Sequence, residues 1–170
     1  MKTTIKMLLL STVLTTGFSD CKASNKALPQ ADDGYQTYIY TGDSFKHLQL
    51  TDIKNQAVRF DANHKKLVIL FATWCSDSQR LLSELKQSEL LTQAELTIVA
   101  IGREETNTTL EQFNETMQLP IHFVADPNRD IYNTYANKGI PRVILLDERN
   151  RVMQTLIGEQ PNTLSKLNWN

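Results

Sequence analysis

The sequence predicts an α/β domain with a mixed central β-sheet, helices on both faces and a small N-terminal β extension. Apolar segments 67–71 and 97–101 are each followed by a helical pattern, which predicts parallel β-α-β units with right-handed crossovers. Further on, segments 143–146 and 151–157 flank a tight polar turn and predict an antiparallel hairpin. Adding this hairpin to the parallel units makes the sheet mixed.

Length and composition exclude several functions. The 170 residues, of which 41% are hydrophobic, suit one domain with appendages and a substantial core. A net charge of -1 gives no basic field for nucleic acid, so no nucleic-acid partner is expected. His47, His64 and His122 have no metal-ligand spacing, so solvated or hydrogen-bonded histidines are expected, without a metal or cofactor.

The N-terminus has the pattern of an export signal. Lys2 and Lys6 precede a short, mostly apolar run over residues 7–18. That run is shorter than the roughly 20 residues that a membrane-spanning helix needs. We therefore expect residues 1–20 to be a signal peptide and the protein to reside in the bacterial cell envelope, on the periplasmic side.

Cys21 stands where a bacterial lipoprotein is processed, which predicts lipidation of this cysteine and anchoring to a membrane by the lipid alone. Asp20 departs from the usual small residue before such a cysteine, and cleavage after Ala23 is the alternative. Residues 21–34 are polar and contain proline and glycine, as in a flexible tether. The domain is then expected to span residues 35–170.

The first half of the domain is organised around one strand and one helix. Weak strand candidates at 38–40, 48–51 and 57–60 predict a small hairpin or edge structure. The unbroken apolar run 67–71 is typical of a strand buried on both faces. A helix should follow from Ser76, with its leucines at positions 81, 82 and 85 on one face.

The second half continues the alternation of strands and helices. A helix is predicted from about Thr108 and is ended by Pro120. A short strand at 121–124 follows, and another helix should begin near residues 126–128. Pro161 suits the first turn of a final short helix.

Cys75 lies where the central strand meets its helix, which makes it the candidate nucleophile. Backbone N–H groups at a helix N-terminus stabilise a thiolate. Asp77 disfavours the thiolate through its like charge, so it counteracts the stabilising effect of the helix N-terminus. Whether the thiol is reactive or inert depends on its exposure, and both alternatives remain open.

Three segments together resemble the thioredoxin superfamily, and most closely its TlpA/ResA group of envelope thiol-disulfide oxidoreductases, which overlaps the AhpC/TSA family. They are the sequence Phe-Ala-Thr-Trp-Cys at 71–75, Gly-Ile-Pro at 139–141, and the hairpin from 143 that leads to Gly158. The resemblance implies a thioredoxin-like fold and partners that are protein or small-molecule thiols and disulfides. It also implies that Pro141 is cis, faces Cys75 and presents the Ile140 backbone to a substrate.

The motif itself departs from the family pattern C-x-x-C. Ser78 occupies the position of the second cysteine, Leu81 that of a glutamate and Ser83 that of a proline. Without a second thiol, Cys75 can attack a disulfide, but an outside thiol must release the product. The prediction is therefore one-cysteine exchange, and the alternative is a redox-inactive binding module. A peroxiredoxin-like peroxidase is less favoured, because Ala72 replaces the threonine of that pattern.

Four residues are expected to contact the substrate beside Cys75: Trp74, Ser78, Ile140 and Pro141. Trp74 suits either an exposed binding lip or simple core packing. Arg142 suits either contact with an acidic partner or a solvated charge at the strand end, and the solvated charge is the expectation.

Overall fold

The computed structural model describes residues 34–170. The predicted signal peptide, the tether up to residue 33 and the proposed lipidation site Cys21 lie outside this range. Within it, no helix combines the length and apolar character that crossing a membrane requires.

The described chain alternates strands and helices, as the sequence predicts. In chain order the elements are β1 (Leu50–Thr51), β2 (Ala57–Val58), β3 (Lys65–Phe71), α1 (Ser76–Lys86), β4 (Leu96–Arg103), α2 (Asn107–Met117), β5 (His122–Asp126), α3 (Tyr132–Tyr135), β6 (Arg142–Leu146) and β7 (Val152–Ile157). Single 3₁₀ turns occur at Glu89–Thr92 and Thr163–Lys166.

A five-stranded sheet forms the centre of the fold, with strand order β5-β4-β3-β6-β7. Strands β3, β4 and β5 are parallel, whereas β6 runs antiparallel to β3, and β7 antiparallel to β6. In the middle of β3, Val68 is paired with Val99 on one side and Ile144 on the other. The predicted mixed sheet is confirmed.

Helices cover both faces of this sheet because side chains alternate along β3. The odd-numbered residues from 67 to 71 pack with the buried leucines of α1 and with Leu110 of α2. On the opposite face, Val68 and Leu70 pack with Tyr132 and Tyr135 of α3. The site described below therefore rests on a core that is closed on both sides.

Three segments differ from the expectation. The helix expected to begin near residues 126–128 begins later, as α3 at Tyr132, because Asp126 still belongs to β5 and a turn follows it. Residues 38–40 form no strand; instead this stretch crosses the end of α3, through a bridge between Thr37 and Ala136 and a 2.8 Å hydrogen bond from Tyr38 N–H to the Tyr135 carbonyl. The C-terminal segment forms only the 3₁₀ turn, which starts after Asn162 in a left-handed conformation with φ 59°. The leucines at 164 and 167 are buried without a longer helix.

The β1–β2 hairpin provides the predicted N-terminal extension and contacts the edge strand β5. The Ile53 N–H donates to the Phe123 carbonyl at 2.8 Å, and the buried Asp52 carboxylate lies 2.8 Å from His122 Nδ1. Burial raises the pKa of Asp52, but hydrogen bonds from His122 and two nearby backbone N–H groups outweigh it and hold the pKa below its usual value.

Candidate functional site around Cys75

Cys75 lies at the carboxyl end of β3, immediately before α1. Its N–H donates to the Ala72 carbonyl at 3.2 Å, and its own carbonyl accepts from the Gln79 N–H at 3.0 Å. Cys75 is the one cysteine in the described range, and it is half-buried with a free thiol. Because α1 begins at Ser76, the partial positive charge of the helix N-terminus is next to the sulfur.

The loop before β6 faces this thiol. The Ile140–Pro141 peptide bond is cis, and Cys75 Sγ lies 3.6 Å from the Ile140 carbonyl oxygen. The prediction of a cis-proline beside the cysteine is confirmed. The segments at 75 and 140 are far apart in sequence but meet because β3 and β6 are neighbours in the sheet.

Trp74 forms an exposed lip beside the cysteine. The residue is 63% exposed, which favours the lip over core packing. The guanidinium carbon of Arg103 lies 5.9 Å from the centre of the indole ring, within range of a cation–π interaction. Sequence reasoning did not identify Arg103, because it ends a different strand, β4.

Ser78 and Leu81 lie beneath the site rather than on its surface. Both are fully buried. The Ser78 hydroxyl accepts from the Ala72 N–H at 3.4 Å, which links α1 to the strand end. Leu81 packs into the core. Contact between Ser78 and a substrate was expected from the motif, whereas the structure gives this hydroxyl a position inside the turn.

Arg80 offsets the negative charge of Asp77 and was missed by sequence reasoning. Its guanidinium pairs with the Asp77 carboxylate and donates to the Gly158 carbonyl at 2.8 Å. The three-residue spacing between Asp77 and Arg80 on a helix is the sequence signal that could have indicated this ion pair. With this partner, Asp77 opposes a Cys75 thiolate less than it would alone.

Glu105 holds the residues just before the cysteine. This buried carboxylate accepts from both the N–H and the hydroxyl of Thr73, at 2.8 and 2.6 Å. Gln79 Nε2 donates to the Thr73 carbonyl at 2.6 Å. Thr73 is therefore fixed at three polar atoms. Glu105 stands in a polar loop segment, where a solvated charge is the ordinary expectation from sequence.

Arg142 is buried, and the expectation of a solvated charge at the strand end was wrong. Only 4% of Arg142 is exposed. Its guanidinium donates to the carbonyls of Gly139 at 3.1 Å and Lys138 at 2.5 Å, and to Thr37 Oγ1 at 3.0 Å. Three acceptors around one planar fork make burial of the charge possible.

The histidines take part in separate hydrogen bonds. His47 Nδ1 lies 2.7 Å from the Tyr135 hydroxyl, and His64 Nδ1 lies 3.3 Å from Thr97 Oγ1. Across residues 34–170, no group of three or more potential ligand side chains could hold a metal ion.

The sheet order, the helix that starts after Cys75 and the facing cis-proline loop define a protein with a thioredoxin-type fold. A family model described as thioredoxin-like matches residues 63–152, and the chain belongs to this family. The matched region includes both Cys75 and the Ile140–Pro141 loop.

Thiol-disulfide oxidoreductases of the TlpA/ResA type are among the proteins similar to this chain. The chain is similar to thiol-disulfide oxidoreductase ResA of Bacillus cereus, with 22% identity over 124 residues, which is 72% of this chain and 67% of the relative. A candidate protein disulfide isomerase from Bacteroides thetaiotaomicron superposes with a TM-score of 0.69 at 17% identity, over 76% of this chain and 86% of that one. A candidate DsbE interchange protein from Chlorobium tepidum gives 0.63 at 17% identity, over 75% and 94%.

Proposed function

We propose that this protein is an exported thiol-disulfide exchange protein whose domain, residues 35–170, acts through Cys75 alone. The observation that supports this proposal is a free, half-buried thiol at the N-terminus of α1, 3.6 Å from the Ile140 carbonyl. Serine at position 78 leaves the motif without its second sulfur.

The chemistry is an exchange in two steps. The Cys75 thiolate attacks one sulfur of a disulfide; a new S–S bond to Cys75 forms, the old S–S bond breaks, and the other half leaves as a thiolate that takes up a proton. An outside thiol then attacks the mixed disulfide as its thiolate and releases Cys75. The net reaction exchanges one disulfide for another, and Cys75 returns to its starting state.

The surroundings suit a disulfide on a protein or a small molecule. Trp74 offers a broad apolar contact at the rim, and the backbone at Ile140 offers a polar edge beside the sulfur, since its carbonyl lies 3.6 Å from Cys75 Sγ. An extended chain could pair with such an edge. Ser78 contributes by holding the turn, since its hydroxyl is buried.

The cellular place of the reaction is part of the proposal. Residues 1–20 have the pattern of a signal peptide, and Cys21 follows where lipidation would anchor the chain on the periplasmic side of a membrane. Cys21→Ala should move the protein from the membrane fraction to the soluble envelope fraction. Unchanged fractionation would rule out an anchor at this residue.

A redox-inactive binding module is the second candidate, favoured by the 63% exposure of Trp74, a large aromatic residue next to Cys75 in the chain. In that case the surface would hold an extended peptide without thiol chemistry. Binding partners would then be retained in Cys75→Ser, whereas the exchange proposal predicts that covalent capture is lost in this variant.

One experiment tests the exchange proposal. The full chain carrying Cys21→Ala has Cys75 as its single cysteine, since the sequence contains 2. Its reaction with dithiodipyridine is followed by the released thiopyridone, and mass spectrometry follows the mixed disulfide and its release by glutathione. The control is an unstructured peptide with the sequence of residues 73–79.

The fold should accelerate the reaction over that peptide by about tenfold, because positioning and the helix N-terminus assist the thiolate. A rate no higher than that of the peptide, together with failure to capture any envelope protein, would refute exchange through Cys75.

A further inference from the structure

We propose that Arg142 is a positioning residue that adapts the site to extended peptide disulfides by fixing the loop that carries Ile140. This inference rests on the exchange function proposed above and assigns Arg142 a role in it. A small disulfide needs access only to the sulfur of Cys75, whereas a peptide also needs an ordered backbone edge beside it.

The carbonyls before Ile140 are occupied by internal donors. Arg142 Nη2 donates to Lys138 O at 2.5 Å, and Nε donates to Gly139 O at 3.1 Å. The Tyr132 hydroxyl donates to the same Gly139 oxygen at 2.8 Å. The next carbonyl along the chain, that of Ile140, points instead to Cys75 Sγ at 3.6 Å. One guanidinium thus sets the direction of the loop just before it reaches the thiol.

The N-terminal segment completes this arrangement from the other side. Thr37 Oγ1 accepts from Arg142 Nη1 at 3.0 Å, and the centre of the Tyr35 ring lies 5.4 Å from the guanidinium carbon. The same ring lies against Gly139, where an added Cβ would come within 3.1 Å of it. Gly139 also has a φ of +84°, which favours glycine. The loop is therefore enclosed between the ring and the sheet.

Only a planar fork with several donors can serve these acceptors together. Lysine has a point charge on a flexible stem and cannot reproduce the three directions at once. Arg142→Lys should therefore retain part of the positioning, and Arg142→Gln should retain less. The graded order distinguishes a geometric role from a requirement for any buried polar group.

The test compares two disulfides on the full chain carrying Cys21→Ala. One is dithiodipyridine, and the other is an extended peptide whose single cysteine carries a thiopyridine disulfide. In both reactions Cys75 forms the new S–S bond and thiopyridone leaves, so a single absorbance reports both rates. Arg149→Gln, which removes an exposed arginine from the β6–β7 turn, is the matched control.

For Arg142→Gln the peptide rate should fall about tenfold relative to the dithiodipyridine rate, with Arg142→Lys intermediate and Arg149→Gln unchanged. Thr37→Val removes one acceptor of Arg142 and should lower the peptide rate by roughly threefold to fivefold. Thr37→Ser keeps the hydroxyl and should therefore keep the rate of the parent protein. The Thr37 pair keeps the test decisive if Arg142→Gln does not fold.

Equal losses with both disulfides, or no loss with either, would overturn the positioning role while leaving exchange through Cys75 intact. A parent protein that reacts with neither disulfide would instead refute the exchange function, and the positioning role with it.

Discussion

Leu81→Glu tests whether this site could still use the acid that the family pattern places there. Leu81 is fully buried, and an added Cβ at Gly158 would come within 2.7 Å of its Cδ1. Replacing its apolar contacts with a protonated carboxyl should cost about 2–4 kcal/mol of the free energy of unfolding. Burial among the apolar side chains around Leu81 raises the pKa of such a carboxyl above its usual value of about 4.3.

The sign of the pH effect follows from that shift. The unfolded chain loses the proton from this glutamate first, so stability falls as the pH rises above about 4. At about 1.36 kcal/mol for each unit, the additional loss by pH 7 is roughly 3–4 kcal/mol. The combined loss is a large part of the ~5–15 kcal/mol that is typical of the free energy of unfolding of a protein.

Urea unfolding followed by far-UV circular dichroism measures this loss at about pH 4 and about pH 7. Leu81→Met conserves volume and should cost less than about 1.5 kcal/mol at both. A loss for Leu81→Glu that is below about 1 kcal/mol, or the same at both pH values, would show that the position can solvate or pair a carboxylate. The buried-core interpretation of Leu81 would then be wrong.

Three other variants test separate parts of the structure. Gly158→Ala places a Cβ 2.7 Å from Leu81 Cδ1, so overpacking should lower the free energy of unfolding by about 1–3 kcal/mol, measured by thermal unfolding. Adding Leu81→Ala should relieve part of this loss, and additive losses in the double variant would contradict the contact. Asp52→Asn should lower the free energy of unfolding by about 1–2 kcal/mol at neutral pH. This loss should shrink below about pH 4, because the fold lowers the pKa of Asp52 and its stabilising charge is lost in acid. A loss that stays constant down to acid pH would contradict the lowered pKa. In the chain carrying Cys21→Ala, Ser78→Cys should release two thiopyridones from one equivalent of dithiodipyridine instead of one, because position 78 lies three residues after Cys75 at the start of a helix and its thiol can resolve the mixed disulfide. Release of only one thiopyridone would show that the second sulfur cannot reach Cys75.

The sequence was sufficient to predict the framework that carries Cys75. The apolar run of β3 and the leucine spacing of α1 are local patterns, and both elements form where predicted. Lys66 shows the limit of such patterns: it is fully buried in β3, with its ammonium donating to the Asp61 carbonyl at 2.5 Å and the Glu148 carbonyl at 3.1 Å. Burial of this charge has no local signature, because one of its two acceptors lies 82 residues away in the sequence.

The supporting residues of the site were missed for the same reason. Arg142 meets Thr37 across 105 residues of sequence, and Glu105 meets Thr73 across 32. A charge next to a strand or in a polar loop is ordinarily solvated, so burial of these two became evident only when the tertiary contacts were known.

The site combines an altered chemical motif with an intact mechanical support. At positions 78 and 81 a hydroxyl and a leucine occupy buried space, so neither a second thiol nor a buried acid is available there. In contrast, the segments on either side of Cys75 are each fixed by a buried charged group, Glu105 on one side and Arg142 on the other. Burying such groups is costly unless they are fully hydrogen-bonded, and their contacts converge on backbone close to the thiol rather than on the distant core. This arrangement supports the proposal that a partner chain is positioned against the Cys75 sulfur.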